Sequence, residues 1–212
     1  MKGIRPLCFA VVALALWWSP RSIVEAQPPV RIGASASRNG SYAALGQNQL
    51  RGYELCVRHT NDKGGLLGRK LELLVEDDHS APATAARIYE RLITQEKVDL
   101  VLGPYGSPMT VPVASITEKH RMPLVAPTIA STPFFKAGRQ FIFMVFSPAE
   151  AYLEGFVELV ARQGLKTLAL IGEDSLFPQA AVKGAAEGPG REGSRWSSPR
   201  PTRGGTPISR RS

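Results

Sequence analysis

The sequence predicts an α/β protein built on a doubly wound parallel sheet, and two observations carry that prediction. Segments 30–33, 70–75, 98–103 and 123–126 are β-type runs without strict polar–apolar alternation, as in strands covered on both faces. Between them lie segments with helical spacing of apolar residues, and this βαβαβαβ order is that of parallel sheets with helices on both faces. Loops at the C-terminal ends of such strands line the ligand crevice. No internal repeat is visible.

Segment 30–33 is the first strand, and the polar stretch 35–42 follows, with Asn39-Gly40 as turn chemistry. A helix over 43–61 presents Leu50, Tyr53 or Glu54, and Val57 on one face, and Gly64-Gly65 stops it. Cys56, the one cysteine after residue 8, reads as a buried helix cysteine. Segment 70–75 is the second strand. The next helix has Ser80 as N-cap, Pro82 in its first turn, and Ala85, Ile88, Tyr89 and Leu92 as its buried stripe. The third strand, 98–103, runs through Gly-Pro-Tyr-Gly-Ser into a helix over 107–120. Strands over 123–126 and 140–146, an amphipathic helix over 149–163, and a strand over 165–171 ending at Glu173-Asp174 complete the folded part.

The ends differ in character. Lys2 and Arg5 precede an apolar run to Trp18, and Val24-Glu25-Ala26 supplies small residues at a cleavage site. Residues 1–26 read as a secretory signal peptide cut after Ala26, which makes the mature chain soluble and exported. The net charge is +8, yet residues 27–182 hold 16 Lys/Arg and 15 Asp/Glu, so the folded part is nearly neutral. The basic pI therefore argues for no nucleic-acid partner. Residues 188–212 are Arg-, Gly-, Ser- and Pro-rich with almost no aliphatic side chains, and cannot bury enough surface to fold. They read either as a natural disordered basic tail or as the product of a translation frameshift. The shift is preferred, because codon degeneracy over residues 196–210 permits a strand-like alternative ending in a polar turn.

The turn Gly103-Pro-Tyr-Gly-Ser107 is the leading candidate site. A turn that ends a buried strand and opens a helix leaves backbone N–H groups facing open space. With the helix dipole, these groups hold an anion such as a carboxylate. Ser107 adds a hydroxyl at the N-cap position. Thr128-Ile-Ala-Ser-Thr132, after the fourth strand, is a second polar strand end beside it. Gly106-Ser107-Pro108 lacks the second glycine of a nucleophile elbow, and His59, His79 and His120 show no pairing with Ser107. No G-x-G-x-x-G follows the first strand. Glu76-Asp77-Asp78-His79 reads as a solvated loop that charges a helix N-terminus rather than as a metal site. The residues point to binding without chemistry, with no cofactor.

Several pieces, in order and spacing, resemble the leucine/isoleucine/valine-binding proteins, the type I periplasmic binding proteins of branched-chain amino-acid ABC transporters. They are Ser41-Tyr-Ala-Ala-Leu-Gly46, Arg51-Gly52, Asn61-Asp-Lys-Gly-Gly-Leu-Leu-Gly-Arg69, Val75-Glu-Asp-Asp78, Leu102-Gly-Pro-Tyr-Gly-Ser107 and Ala126-Pro127. The resemblance covers residue 30 to about residue 187. It implies two α/β lobes that close on a small ligand: a first lobe over 27–146 and the start of a second over 147–187. It implies that Tyr105, Gly106 and Ser107 take the ligand's α-carboxylate. The loop from Thr128 through Ala130 to Ser131 would take the ammonium. Tyr42 to Leu45 would flank the ligand, and Phe177 would supply a second-lobe aromatic. Ala130 falls where some members carry a hydroxyl.

The function so implied is an exported receptor for amino acids or related small amides, with an ABC permease as its membrane partner. A receptor of the same fold that signals to a regulator is the second reading. A full member is about twice this length, since each lobe is a complete domain. The usual acidic partner of the ammonium falls beyond the matching part, so the resemblance implies weak or absent binding by this chain.

Overall fold

In the computed structural model, residues 27–136, 138–165 and 167–187 are described. The signal-peptide and tail readings, at 1–26 and 188–212, lie outside the described residues. The elements follow in order. They are β1 (Val30–Ala36), α1 (Ala43–Asp62), β2 (Leu71–Asp77), α2 (Pro82–Thr94), β3 (Leu100–Leu102) and α3 (Ser107–His120). After these come β4 (Leu124–Ala126), α4 (Thr132–Phe135), β5 (Ile142–Met144), a 3-10 turn (Ala149–Ala151), α5 (Glu154–Arg162) and α6 (Leu176–Glu187).

The five strands form one parallel sheet in the order β2-β1-β3-β4-β5. The chain moves outward from β1 to β2 and then returns across β1 to β3. Right-handed crossovers place α1 on one face and α2 and α3 on the other. The return creates a switch point between β1 and β3, where the following loops diverge and leave a crevice.

The core lies between the sheet and the α2–α3 pair. Ala85, Ile88, Tyr89 and Leu92 of α2 pack with Met109, Val113 and Ala114 of α3 against Val101, Leu124 and Ile142. The α2 stripe is thus the one its 3.6-residue spacing predicts. Tyr89 is fully buried and ties β1 to β3: Ser35 N–H donates to its hydroxyl at 3.2 Å, and that hydroxyl donates to the Leu102 carbonyl. Burial pushes the Tyr89 phenol well above its ordinary pKa, so it stays a neutral donor.

Four expectations are corrected. Cys56 is exposed, because α1 buries only Gly46 and Leu50 and turns Cys56 to solvent. Ser80 does not cap α2; it sits at φ 58°, and its hydroxyl accepts the Tyr42 N–H at 3.0 Å and donates to the Asn39 carbonyl at 2.7 Å. The helix expected over 149–163 is broken into the 3-10 turn and α5. The Ala149 N–H is drawn to the Ala130 carbonyl at 2.8 Å, and the turn closes with i→i+3 bonds. No strand is assigned over the described part of 165–171, where only Leu170 has bridge character. Leu165 and Ile171 are 55% and 72% exposed, and a parallel strand has no stability without a neighbour to pair with.

The acidic loop after β2 is not simply solvated. Asp78 is fully buried and accepts from Ser35 Oγ at 2.7 Å, Ser37 Oγ at 2.5 Å and the Ser80 N–H at 3.0 Å. Asp77 accepts from the N–H groups of Arg38 and His79 at 2.9 and 2.8 Å and from Asn39 Nδ2 at 2.5 Å. These two carboxylates hold the loop that leads to Tyr42. Burial alone would raise the Asp77 pKa, but the donors outweigh it and hold the carboxyl below its ordinary value.

Two predictions follow from this packing. Tyr89→Phe leaves a buried N–H and a buried carbonyl without their partner and is expected to cost about 1–3 kcal/mol in urea unfolding. A loss below about 0.5 kcal/mol would show that water replaces the hydroxyl. Asp77 has a lower pKa folded than unfolded, so its contribution is complete above the ordinary carboxylate range and is lost as pH falls through the folded value. Melting temperature measured from roughly pH 6 down to pH 3 should therefore fall less steeply in Asp77→Asn than in the parent.

Candidate functional site

The C-terminal end of β3 is held from both sides. The Gly103 N–H donates to the Val125 carbonyl at 2.7 Å, and the Gly103 carbonyl accepts from Gln49 Nε2 and Tyr53 Oη of α1, each at 2.8 Å. A Cβ at Gly103 would lie 3.3 Å from Ala126 Cα, so a side chain there would press the two strand ends apart. Gly106 has φ 82° and ψ 159°, a conformation essentially confined to glycine. Its carbonyl accepts the Thr110 N–H at 3.1 Å, and its own N–H donates to Thr128 Oγ1 at 2.9 Å.

Helix α3 then begins at Ser107, with Gly106 as its N-cap, one residue earlier than the sequence suggests. Ser107 makes no capping bond. The residue is 3% exposed, and among the described residues its hydroxyl is the one buried side-chain polar atom with no partner. The first-turn N–H groups of Ser107 and Met109 also meet no acceptor among the described residues, and Pro108 has none to offer. A buried hydroxyl left unpaired costs about 1–3 kcal/mol. Two free amides and the positive end of a 14-residue helix lie beside it. That combination suits an anion with two acceptor oxygens.

A cavity of about 340 Å³ opens over this corner. Its floor is Tyr105, Gly106, Ser107 and Thr128, with Tyr42 beside them. Its opposite wall comes from later in the chain, chiefly Phe146, Tyr152 and Phe177, with Glu173 and Ser175. The rings of Tyr42 and Tyr105 lie 5.9 Å apart, and Phe146, Tyr152 and Phe177 form an edge-on chain at 5.9 and 5.3 Å. Burial, and then the neighbouring Tyr42, raises the Tyr105 pKa; burial, and then Tyr105, raises that of Tyr152. The Tyr105 and Tyr152 hydroxyls therefore stay neutral at neutral pH.

Of the site residues read from the sequence, Tyr42, Tyr105, Gly106, Ser107, Thr128 and Phe177 converge on this cavity. Leu45 lies in the first turn of α1, 48% exposed, and is not part of the lining. Ala130 and Ser131 are 0% and 1% exposed and lie away from the cavity. The Ala130 carbonyl accepts the Ala149 N–H at 2.8 Å, and the Ser131 carbonyl accepts the Phe134 N–H at 3.1 Å. Thr128 Oγ1 is likewise committed: it accepts from Gly106 and donates toward the Pro104 carbonyl at 3.1 Å or Gln49 Oε1 at 3.2 Å. Thr128 shapes the corner rather than offering a hydroxyl to a ligand. Sequence reasoning missed Phe146, Tyr152, Glu173 and Ser175. The signal for the first two was the aromatic spacing around Pro148, which follows β5 and opens the 3-10 turn.

In open α/β sheets the crevice at such a switch point is where ligands bind. Comparison with known proteins agrees. Residues 29–193 match the family described as periplasmic binding protein, and the chain belongs to that family. A Leu/Ile/Val-binding protein homolog of Brucella suis is 27% identical over 164 residues, which is 76% of this chain and 40% of that protein. Two solved structures share the fold. One is the branched-chain amino acid transporter substrate-binding protein of Streptococcus pneumoniae in complex with isoleucine, with TM-score 0.61 and 24% identity over 74% of this chain and 45% of that one. The other is an ABC-transporter solute-binding protein of Rhodopseudomonas palustris in complex with 3,4-dihydroxybenzoic acid, with TM-score 0.65 and 17% identity over 76% and 43%. The chain spans less than half the length of these relatives.

The corner makes a prediction that separates binding from folding. Ser107→Ala removes a hydroxyl with no partner, so unfolding free energy should stay within about 0.5 kcal/mol of the parent or rise. Thr128→Val strands the Gly106 N–H and should cost about 1–3 kcal/mol by the same measurement.

Proposed function

We propose that the chain is the exported solute-capturing component of an ABC importer and that its Ser107 corner seats the carboxylate of a small organic ligand. One observation carries this reading: a buried hydroxyl without a partner, next to two unpaired amides at a helix N-terminus. The bound solutes named for the two structural relatives, isoleucine and 3,4-dihydroxybenzoic acid, share a carboxylate. The Leu/Ile/Val-binding names of the curated relatives point to amino acids of branched-chain type, or related small amides, as the first class to examine. An ABC permease is the membrane partner of this reading, and removal of residues 1–26 after Ala26 delivers the chain to the periplasm.

The reading is one of capture, not turnover. None of the histidines lines the cavity, so no imidazole stands beside Ser107 to activate it. The lobes divide near Phe146, with the second represented by α5, α6 and their connections. On this reading the second lobe contributes only part of a wall, and weak binding, short of micromolar affinity, is expected.

The test is a nuclear magnetic resonance titration of the ¹⁵N-labelled chain with isoleucine and with acetate. The Ser107 and Met109 amide signals should move with both, and Ser107→Ala should abolish the shifts. Shifts confined to residues far from α3 would overturn the seat, and affinity in the micromolar range would overturn the partial-wall reading.

A further inference from the structure

The proposed function leaves open what the rest of the carboxylate ligand is, and the cavity's own walls address that. Among the described residues its lining holds five aromatic side chains, with Pro108 and Pro178 as aliphatic surface and no Leu, Ile, Val or Met. The rings fall into two packed groups, Tyr42 with Tyr105 and Phe146 with Tyr152 and Phe177, and both groups line the cavity. Phe146 and Tyr152 are 47% and 40% exposed, so ring surface is left uncovered at the cavity. A flat ring entering between the groups would meet faces and edges on both sides, the arrangement in which aromatic pairs gain most beyond simple burial.

The polar groups around the seat add a second constraint. An α-amino acid carries its ammonium one carbon from the carboxylate, so an acceptor must stand directly beside the anion seat. Each neighbouring acceptor already takes one hydrogen bond. Thr128 Oγ1 takes the Gly106 N–H, the Ala130 carbonyl takes the Ala149 N–H, and the Ser131 carbonyl takes the Phe134 N–H. Ala130 brings no hydroxyl of its own, and neither it nor Ser131 reaches the cavity. The one carboxylate on the lining among the described residues, Glu173, belongs to an exposed residue that lies with Ser175 and Phe177. An ammonium placed beside Ser107 would meet no carboxylate there among the described residues, only ring faces and second lone pairs, and would lose more hydration than these contacts return.

We infer that the Ser107 cavity selects an aryl carboxylate without an α-ammonium group, in preference to an aliphatic amino acid. The inference rests on the carboxylate seat proposed above and concerns only the remainder of the ligand. Glu173 and Ser175 stand on the wall opposite the seat and are placed to accept a hydroxyl hydrogen from the far edge of the ring.

Four ligands separate the two parts of this inference: 3-phenylpropionate, phenylalanine, 4-methylpentanoate and leucine. The first pair differs from the second by the ring, and within each pair the members differ by the ammonium. Titrated into the ¹⁵N-labelled 212-residue chain, 3-phenylpropionate should bind about tenfold more tightly than each of the other three. Tyr152→Leu and Phe177→Leu should each bring the 3-phenylpropionate to 4-methylpentanoate affinity ratio toward one. Leucine or phenylalanine as the tightest ligand would overturn the inference and leave the seat intact, because the Ser107 and Met109 signals would still move. An unchanged ratio in both variants would also overturn it. If none of the four ligands moves those signals, the seat itself is wrong and the inference falls with it.

Discussion

The hydrogen bond from the Gly106 N–H to Thr128 Oγ1, at 2.9 Å, joins the ends of two neighbouring parallel strands. It holds a glycine in a conformation that other residues avoid, and so decides the direction in which α3 leaves the sheet. With Gly106 turned toward Thr128, the next amides point outward and the Ser107 hydroxyl is buried without a partner. Gln49 and Tyr53 of α1 fix the Gly103 carbonyl from the other face of the sheet. The unpaired groups of the site are thus a consequence of how completely their neighbours are paired.

This division of labour separates residues that shape the corner from residues that face a ligand. Thr128, Gly103, Gln49 and Tyr53 spend their hydrogen-bonding capacity on one another. Ser107 and the first turn of α3 do not. A similar division holds at the loop carrying Tyr42, where Asp77, Asp78 and Ser80 take up the backbone and hydroxyl donors of both adjoining loops. The ring of Tyr42 is left to pack against Tyr105 at the mouth. The second wall is held differently. Helix α6 approaches the 3-10 turn through Ala180, Ala181 and Gly184, and any Cβ at Gly184 would collide with the Glu150 carbonyl. Small residues there let the segment bearing Phe177 lie close to the sheet end.

The sheet and most helices were legible because each depends on a local pattern. The α2 stripe follows the helical period, and the Gly106 corner carries its own turn chemistry. What escaped depends on partners remote in sequence. Thr128 reads as a free hydroxyl until Gly106, 22 residues away, claims it. Asp78 reads as solvated until Ser35 and Ser37, more than 40 residues earlier, enclose it. The break after Ala151 comes from the pull of Ala130 on Ala149, which no helical period records. The 165–171 run has the composition of a strand, but a strand exists only through its neighbour. Phe146 and Tyr152 escaped for the same reason: they lie far in sequence from Phe177, which the resemblance did supply, and join it only where the chain crosses the sheet end.

A crystal structure of the chain grown with 3-phenylpropionate at saturating concentration bears most directly on the carboxylate seat. One carboxylate oxygen should lie about 3 Å from Ser107 Oγ, and the carboxylate should accept the Ser107 and Met109 N–H groups. A carboxylate bound elsewhere, with the Ser107 hydroxyl still unpaired, would contradict it.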